Sequence, residues 1–156
     1  MSRVETPYGS FEAPEGWPLL EGLGATDGPP DTRPEARAFV RSLVLTGDDV
    51  PDGVTGEVYM ERQEAMLAGT LPRFAKIDAH VPSPVGQGPC VLRYHLLPPD
   101  AEAWLVQFQA YWFHGASAAI LTLTARADDA EGSWSVFTQA LGTFAPPAAG
   151  DAQRAT

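Results

Sequence analysis

Cysteine is almost absent from this chain of 156 residues: Cys90 stands alone. An internal disulfide framework is excluded, and with Val91 and Leu92 beside it the thiol reads as a small buried hydrophobe rather than a reactive group. Cations are scarce as well. Lys and Arg number 10 against 20 Asp and Glu, a formal net charge of -10. Phosphate binding draws its affinity from Lys and Arg, so this balance argues against nucleic acid as a partner. It also argues against adsorption to an anionic membrane surface. Histidine occurs three times, as His80, His95 and His114, in separate segments and without metal-ligand spacing.

Chemical signatures are missing too. The chain has no G-x-S-x-G, no P-loop and no dinucleotide fingerprint. "GLGATDG" (22–28) neither follows a convincing strand nor opens a helix. "DDVPDG" (48–53) lacks the spacing and closing glutamate of a calcium loop. Asp48, Asp49, Asp52, Asp128 and Asp129 read as solvated turns and caps, and no two carboxylates share an apolar setting that would raise a pKa. The expectation is a protein without catalytic residues, metal or cofactor. The opening "MSRVETPYGS" shows no apolar targeting segment, so the expected location is the cytoplasm.

One long stretch, 103–125, carries no Asp, Glu, Lys or Arg. It is long enough to cross a bilayer, but it holds Gln107, Gln109, His114 and Gly115 and has acidic flanks. "HGAS" at its centre is a turn signal, which makes two antiparallel strands the better reading than a membrane span.

Around it the patterning predicts a single domain over 1–146 and a disordered tail over 147–156. A short strand falls in "YGSFEAPEGW" (8–17), a Gly/Pro-rich loop over 19–33, and a strand over 36–47. The segment 55–72 is a helix capped by Thr55 and stopped by Gly69 and Pro72. Its apolar stripe holds Tyr59, Met60, Met66, Leu67 and Leu71. Residues 73–81 alternate like a strand. "CVLRYHLLPP", "AWLVQFQAYWF" and "SAAILTLTA" form an antiparallel meander. The closing helix, 128–144, aligns Trp134, Phe137, Leu141 and Phe144 on one face.

The anomaly lies in "LVQFQAYWF" (105–113). Gln107 and Gln109 point to the same face as Leu105, Tyr111 and Phe113, because side chains two apart share a side of a strand. Gln63 sits inside the apolar stripe of the first helix, four residues from both Tyr59 and Leu67. Unpaired buried amides cost about 1–3 kcal/mol each, and a wholly open aromatic face is rare on a monomer. Two arrangements satisfy both constraints. Either the glutamines pair with one another or with edge backbone in an ordinary core, or the face is a groove for an apolar object that still offers hydrogen-bonding groups. A transmembrane helix held outside the bilayer is such an object.

The order "YGSFEAPEGW", strand, "MERQEAMLAGTLPRFAKI", "LVQFQAYWFHGASAAILTLTA", then a helix ending "LGTFAPP" resembles the DcrB-like family. In particular it resembles the Eag (effector-associated gene) chaperones of bacterial type VI secretion. The resemblance implies an α+β fold of the Mog1/PsbP-like kind: a curved antiparallel sheet of about six strands packed with α-helices. It implies a cytoplasmic homodimer that shields the N-terminal transmembrane helices of a PAAR- or Rhs-type effector and helps load it on the spike. On that pattern Gln63, Gln107, Gln109 and Ser42 are polar groove residues, and Val40, Val44 and Leu67 supply apolar wall. The lengths agree. A spanning helix of ~20 residues is about 30 Å long, and six strands at ~4.8 Å make a sheet about 25–30 Å wide. A Mog1-like regulatory module binding through its acidic exterior and a small-ligand binder remain the alternatives.

Overall fold

The computed structural model describes residues 2–28, 41–85 and 87–147. The chain begins with a hairpin, β1 (Ser2–Thr6) and β2 (Gly9–Ala13), paired antiparallel. The main sheet then takes β3 (Leu19–Leu20), β4 (Gly24–Thr26), β5 (Ser42–Asp49), β6 (Ala75–His80), β7 (Cys90–Leu96), β8 (Leu105–His114) and β9 (Ser117–Arg126). Its order is β3-β4-β5-β9-β8-β7-β6, with every neighbouring pair antiparallel. Helix α1 (Gly56–Thr70) connects β5 to β6, and α2 (Ala130–Leu141) follows β9 through the short 3-10 turn Ala127–Asp129. The architecture is α+β, with seven strands in the sheet rather than six.

The two faces differ in kind. On one, Leu43, Leu45, Val106, Phe108, Ala110, Leu121, Leu123 and Ala125 meet Phe137 and Ala140 of α2, together with Val4 and Phe11 of the hairpin. Its buried part is apolar, and toward the β7 side Arg93 lays its guanidinium over the Trp134 ring of α2 at 4.5 Å. The hairpin is tied down where Ser10 and Ala145 exchange both backbone bonds at 2.9 Å, and Trp112 stacks on Phe144 at 4.0 Å between centroids. On the other face Cys90, Leu92, Tyr94, Leu96, Tyr111 and Ile120 meet Tyr59, Met60 and Leu67 of α1. Burial pushes the Cys90 thiol up, with a smaller contribution from the charge of Glu57, as suits an inert core cysteine.

Local signals explain these elements. Thr55 caps α1 by accepting from the Val58 amide at 3.2 Å. The charge-free stretch turns back at Gly115, whose φ of 57° fits the two-residue hairpin loop between β8 and β9. Among the described residues no helix is long and apolar enough to cross a membrane.

Three expectations need correction, and one strand falls where the patterning predicts none. The predicted loop 19–33 contains β3 and β4, because Gly24 lets the backbone come in close against β5: a Cβ there would lie 1.9 Å from the Leu43 carbonyl oxygen. The N-terminal residues 2–6 are a strand, completed by pairing with β2. Met66, placed in the apolar stripe of α1, is 46% exposed. Strand β6 does not alternate simply, because a bulge at Ile77 puts Lys76 opposite Tyr94 and Asp78 opposite Arg93. The first part of the predicted strand 36–47, which includes Val40, lies outside the described residues, as does all but the first residue of the predicted tail.

Candidate functional site

The α1-side face of the sheet is built in cross-strand rows. Directly opposed residues in antiparallel strands project to the same side. One row runs Tyr94, Gln107, Thr124, Ser42, Thr26 across β7, β8, β9, β5 and β4. The next runs Leu92, Gln109, Thr122, Val44, Gly24, and a third runs Cys90, Tyr111, Ile120, Thr46. The first row is polar in every position. The second places an amide and a hydroxyl between aliphatic ends.

Hydrogen bonds follow the rows. The Tyr94 hydroxyl donates to Oε1 of Gln107 at 2.5 Å, and Nε2 of Gln107 donates to the Thr124 hydroxyl at 3.0 Å. The Tyr111 hydroxyl donates to Oε1 of Gln109, and Nε2 of Gln109 donates to the Thr122 hydroxyl at 3.3 Å. Gln63 approaches the same Tyr111 hydroxyl from α1, and this contact works against burial, which drives the phenol well above its ordinary pKa. Burial does the same to Tyr94. Among the described residues no buried side-chain polar atom lacks a partner.

The two amides are therefore engaged by tyrosine and threonine neighbours, neither by each other nor by edge backbone. Each uses one donor hydrogen and one acceptor lone pair, which leaves a second of each. Accessibility separates them. Gln109 is buried at 9% exposure, whereas Gln107, Thr122, Thr124, Ser42, Val44 and Thr46 are all half-buried. Helix α1 covers the β7–β8 part of the face, and the β5–β9 part is only partly covered.

The candidate residues fall into four groups. Gln107, Gln109, Ser42 and Val44 share this face and stand in two adjacent rows. Gln63 is half-buried on α1, at the border of the covered part. Leu67, on α1, is buried against the sheet and belongs to the core rather than to an open wall. Val40 lies outside the described residues. The partners of the amides, Tyr94, Thr122 and Thr124, were not singled out from the sequence. The alternation of "LTLTA" placed both threonines on one face, but only the strand register puts them opposite the glutamines.

A strap crosses one end of the face. The Tyr59 hydroxyl on α1 donates to Oδ2 of Asp48 at the end of β5, at 2.6 Å. Tyr59 also packs edge-on against Tyr111 and Phe113. Its pKa is raised, first by burial and then by the hydrogen bond and charge of Asp48. Among the described residues no three His, Cys, Asp or Glu side chains gather as a metal site would require.

No family model matches the chain, and no curated protein matches it. Solved structures do. A protein of unknown function from Pseudomonas aeruginosa, PA94, superposes with a TM-score of 0.62 at 20% identity, covering 89% of this chain and 92% of its own. LpqN of Mycobacterium tuberculosis, a protein involved in cell envelope biogenesis, gives 0.58 at 16% identity, over 87% of this chain and 82% of its own. The cyanobacterial PsbP of Synechocystis sp. PCC 6803 gives 0.49 at 12% identity, over 94% and 92%. At these identities the first two likenesses concern the fold alone, and this chain is similar to both over nearly its whole described length.

Proposed function

We propose that the protein is a binding module without catalysis, and that the half-open face of β5, β9 and β8 holds an apolar helix carrying hydroxyl and small residues. The finer form of the proposal is a cytoplasmic, homodimeric chaperone of the Eag kind, which shields N-terminal transmembrane helices of a type VI secretion effector. One observation carries it. The row Gln107, Thr124, Ser42 is polar and half-buried, on a sheet face that also carries aliphatic and aromatic side chains. Apolar burial supplies the holding force, roughly 25 cal/mol per Å². The spare amide and hydroxyl valences supply selectivity, because an occupant that leaves them unpaired loses affinity. A single sheet face covers one side of a helix, so two copies around one cargo complete the enclosure.

The test is co-expression with an effector fragment bearing its membrane helices. A soluble complex that dissociates when Gln107→Glu and Ser42→Asp are introduced supports the proposal. A fragment that stays insoluble, or a complex indifferent to both charges, defeats it. Salt-sensitive capture of a basic partner, unaffected by these substitutions, would favour the acidic-exterior alternative instead.

A further inference from the structure

A second surface lies at the far edge of the sheet, on β6. This strand ends the sheet order, and all six of its residues are exposed. An edge strand turns alternate N–H and C=O groups outward, where a further strand can pair with them. Proteins usually blunt such edges with a bulge and charges. Here the bulge at Ile77 and the side chain of Lys76 do so for the first half, while in the second half the one carboxylate, Asp78, is engaged by Arg93 of β7. From Asp78 to His80 the pairing with β7 is regular, and the apolar Ile77 and Val81 are 40% and 39% exposed.

Between this edge and α1 lies a cavity of about 230 Å³ lined by Glu57, Met60, Glu61, Glu64, Ala79 and Val81. Its floor is apolar, from Met60, Ala79 and Val81. Its rim is acidic, because Glu57, Glu61 and Glu64 follow one another at steps of four and three along one face of α1. Lys76 pairs with Glu64 at 2.8 Å. Among the described residues no cation stands within ion-pair distance of Glu57 or Glu61.

We propose that β6 is a docking edge for an extended basic segment of another protein, which adds as an eighth strand. Backbone pairing with the 78–80 stretch supplies register and affinity. On the α1 side, a Lys or Arg of the incoming strand lays its aliphatic stem on Met60 and Val81 and brings its charge to Glu57 and Glu61, a division of labour that long cationic side chains allow. The net charge of -10 selects against acidic segments over a longer range. This surface is distinct from the half-open face of β5, β9 and β8, and its occupancy does not depend on what that face holds.

The experiment uses the isotope-labelled full chain and a blocked octapeptide of alternating lysine and valine. Two controls accompany it: a copy N-methylated at every second backbone amide, and a glutamate–valine copy. The expected result is shift changes and slowed amide exchange at Asp78, Ala79 and His80, with affinity falling as salt is raised from about 50 to about 300 mM. Glu57→Gln with Glu61→Gln should weaken binding roughly fivefold without moving the thermal midpoint. Equal binding of either control peptide, indifference to the glutamine pair, or shifts confined to Gln107 and Thr124 would overturn the proposal. So would protection of the Asp78, Ala79 and His80 amides without peptide that is lost on dilution, the mark of a second copy already paired with this edge.

Discussion

Gln107 lies directly opposite Thr124 in the β8–β9 ladder and donates to its hydroxyl at 3.0 Å, while Gln109 bears the same relation to Thr122 at 3.3 Å. The two pairs stand one row apart, and Gln109 is buried where Gln107 is half-buried. That difference predicts different phenotypes. Gln109→Leu strips the buried Tyr111 hydroxyl of its acceptor and should cost about 1–3 kcal/mol in urea unfolding. Gln107→Leu also strips a buried phenol, Tyr94, of its acceptor, but leaves the half-buried Thr124 open to water; it should cost less than Gln109→Leu while abolishing capture of a membrane-helix fragment. Equal stability losses at the two sites would show that the face is sealed.

Three phenols, Tyr59, Tyr94 and Tyr111, have folded-state pKa values raised chiefly by burial. Below the ordinary tyrosine value near 10, folded and unfolded chains are both protonated and the contribution to stability is complete. Above it the unfolded chain releases protons that the folded chain retains, so stability falls as pH rises, by up to about 1.4 kcal/mol per pH unit for each phenol. Urea midpoints measured from pH 8 to 11 should therefore drop steeply in the upper part of the range. Tyr94→Phe should make that drop shallower, although it removes a hydrogen bond at neutral pH. An unchanged slope would mean that Tyr94 is solvated.

How far the sequence carried depends on which interaction decides each element. The meander of β7, β8 and β9, both helices and the face shared by Gln107 and Gln109 follow from periodicity and caps, which are local. Strand β1 was not legible, because "SRVET" has one core residue, Val4, and becomes a strand only by pairing with β2. Strands β3 and β4 look like a loop because Gly24 serves a close backbone approach that only β5 creates, and β3 is two residues held by β4. The partnership of Tyr94 with Gln107 spans two strands and needs the register, which no short window of sequence contains. The exposure of Met66 depends on how α1 sits on the sheet, and its weak amphipathicity left that rotation open.

Gly24 and Gly47 both sit against neighbours, and the nature of the neighbour predicts which tolerates a side chain. A Cβ on Gly24 would meet the Leu43 carbonyl at 1.9 Å, and this backbone oxygen cannot retreat without breaking the β4–β5 ladder. A Cβ on Gly47 would meet the Tyr8 ring at 2.1 Å, but Tyr8 is 38% exposed and can swing away. Gly24→Ala should therefore cost about 1–3 kcal/mol or more, and Gly47→Ala distinctly less. Paired thermal melts check the order, and the reverse order would contradict the close approach at β4.

The bond from Tyr59 to Asp48 joins α1 to the end of β5 across the half-open face. Only Tyr59, Met60 and Leu67 of α1 are buried, and the rest of its surface carries Glu57, Glu61, Arg62 and Glu64 among small and polar residues. A helix held by so few groups should open locally before the sheet unfolds. Tyr59→Phe keeps the ring against Tyr111 and Phe113 but deletes the bond, at a cost of about 0.5–1.5 kcal/mol. Native-state hydrogen exchange should then show α1 amides accelerated roughly three- to tenfold, while α2 amides, packed on Phe137 and Ala140, change little. Phe137→Ala provides the contrast. It empties the apolar core under α2, should cost about 3–5 kcal/mol, and should accelerate every slowly exchanging amide together. If Tyr59→Phe instead behaved like Phe137→Ala, α1 would belong to the global folding unit and could not act as a cover that yields to a cargo helix.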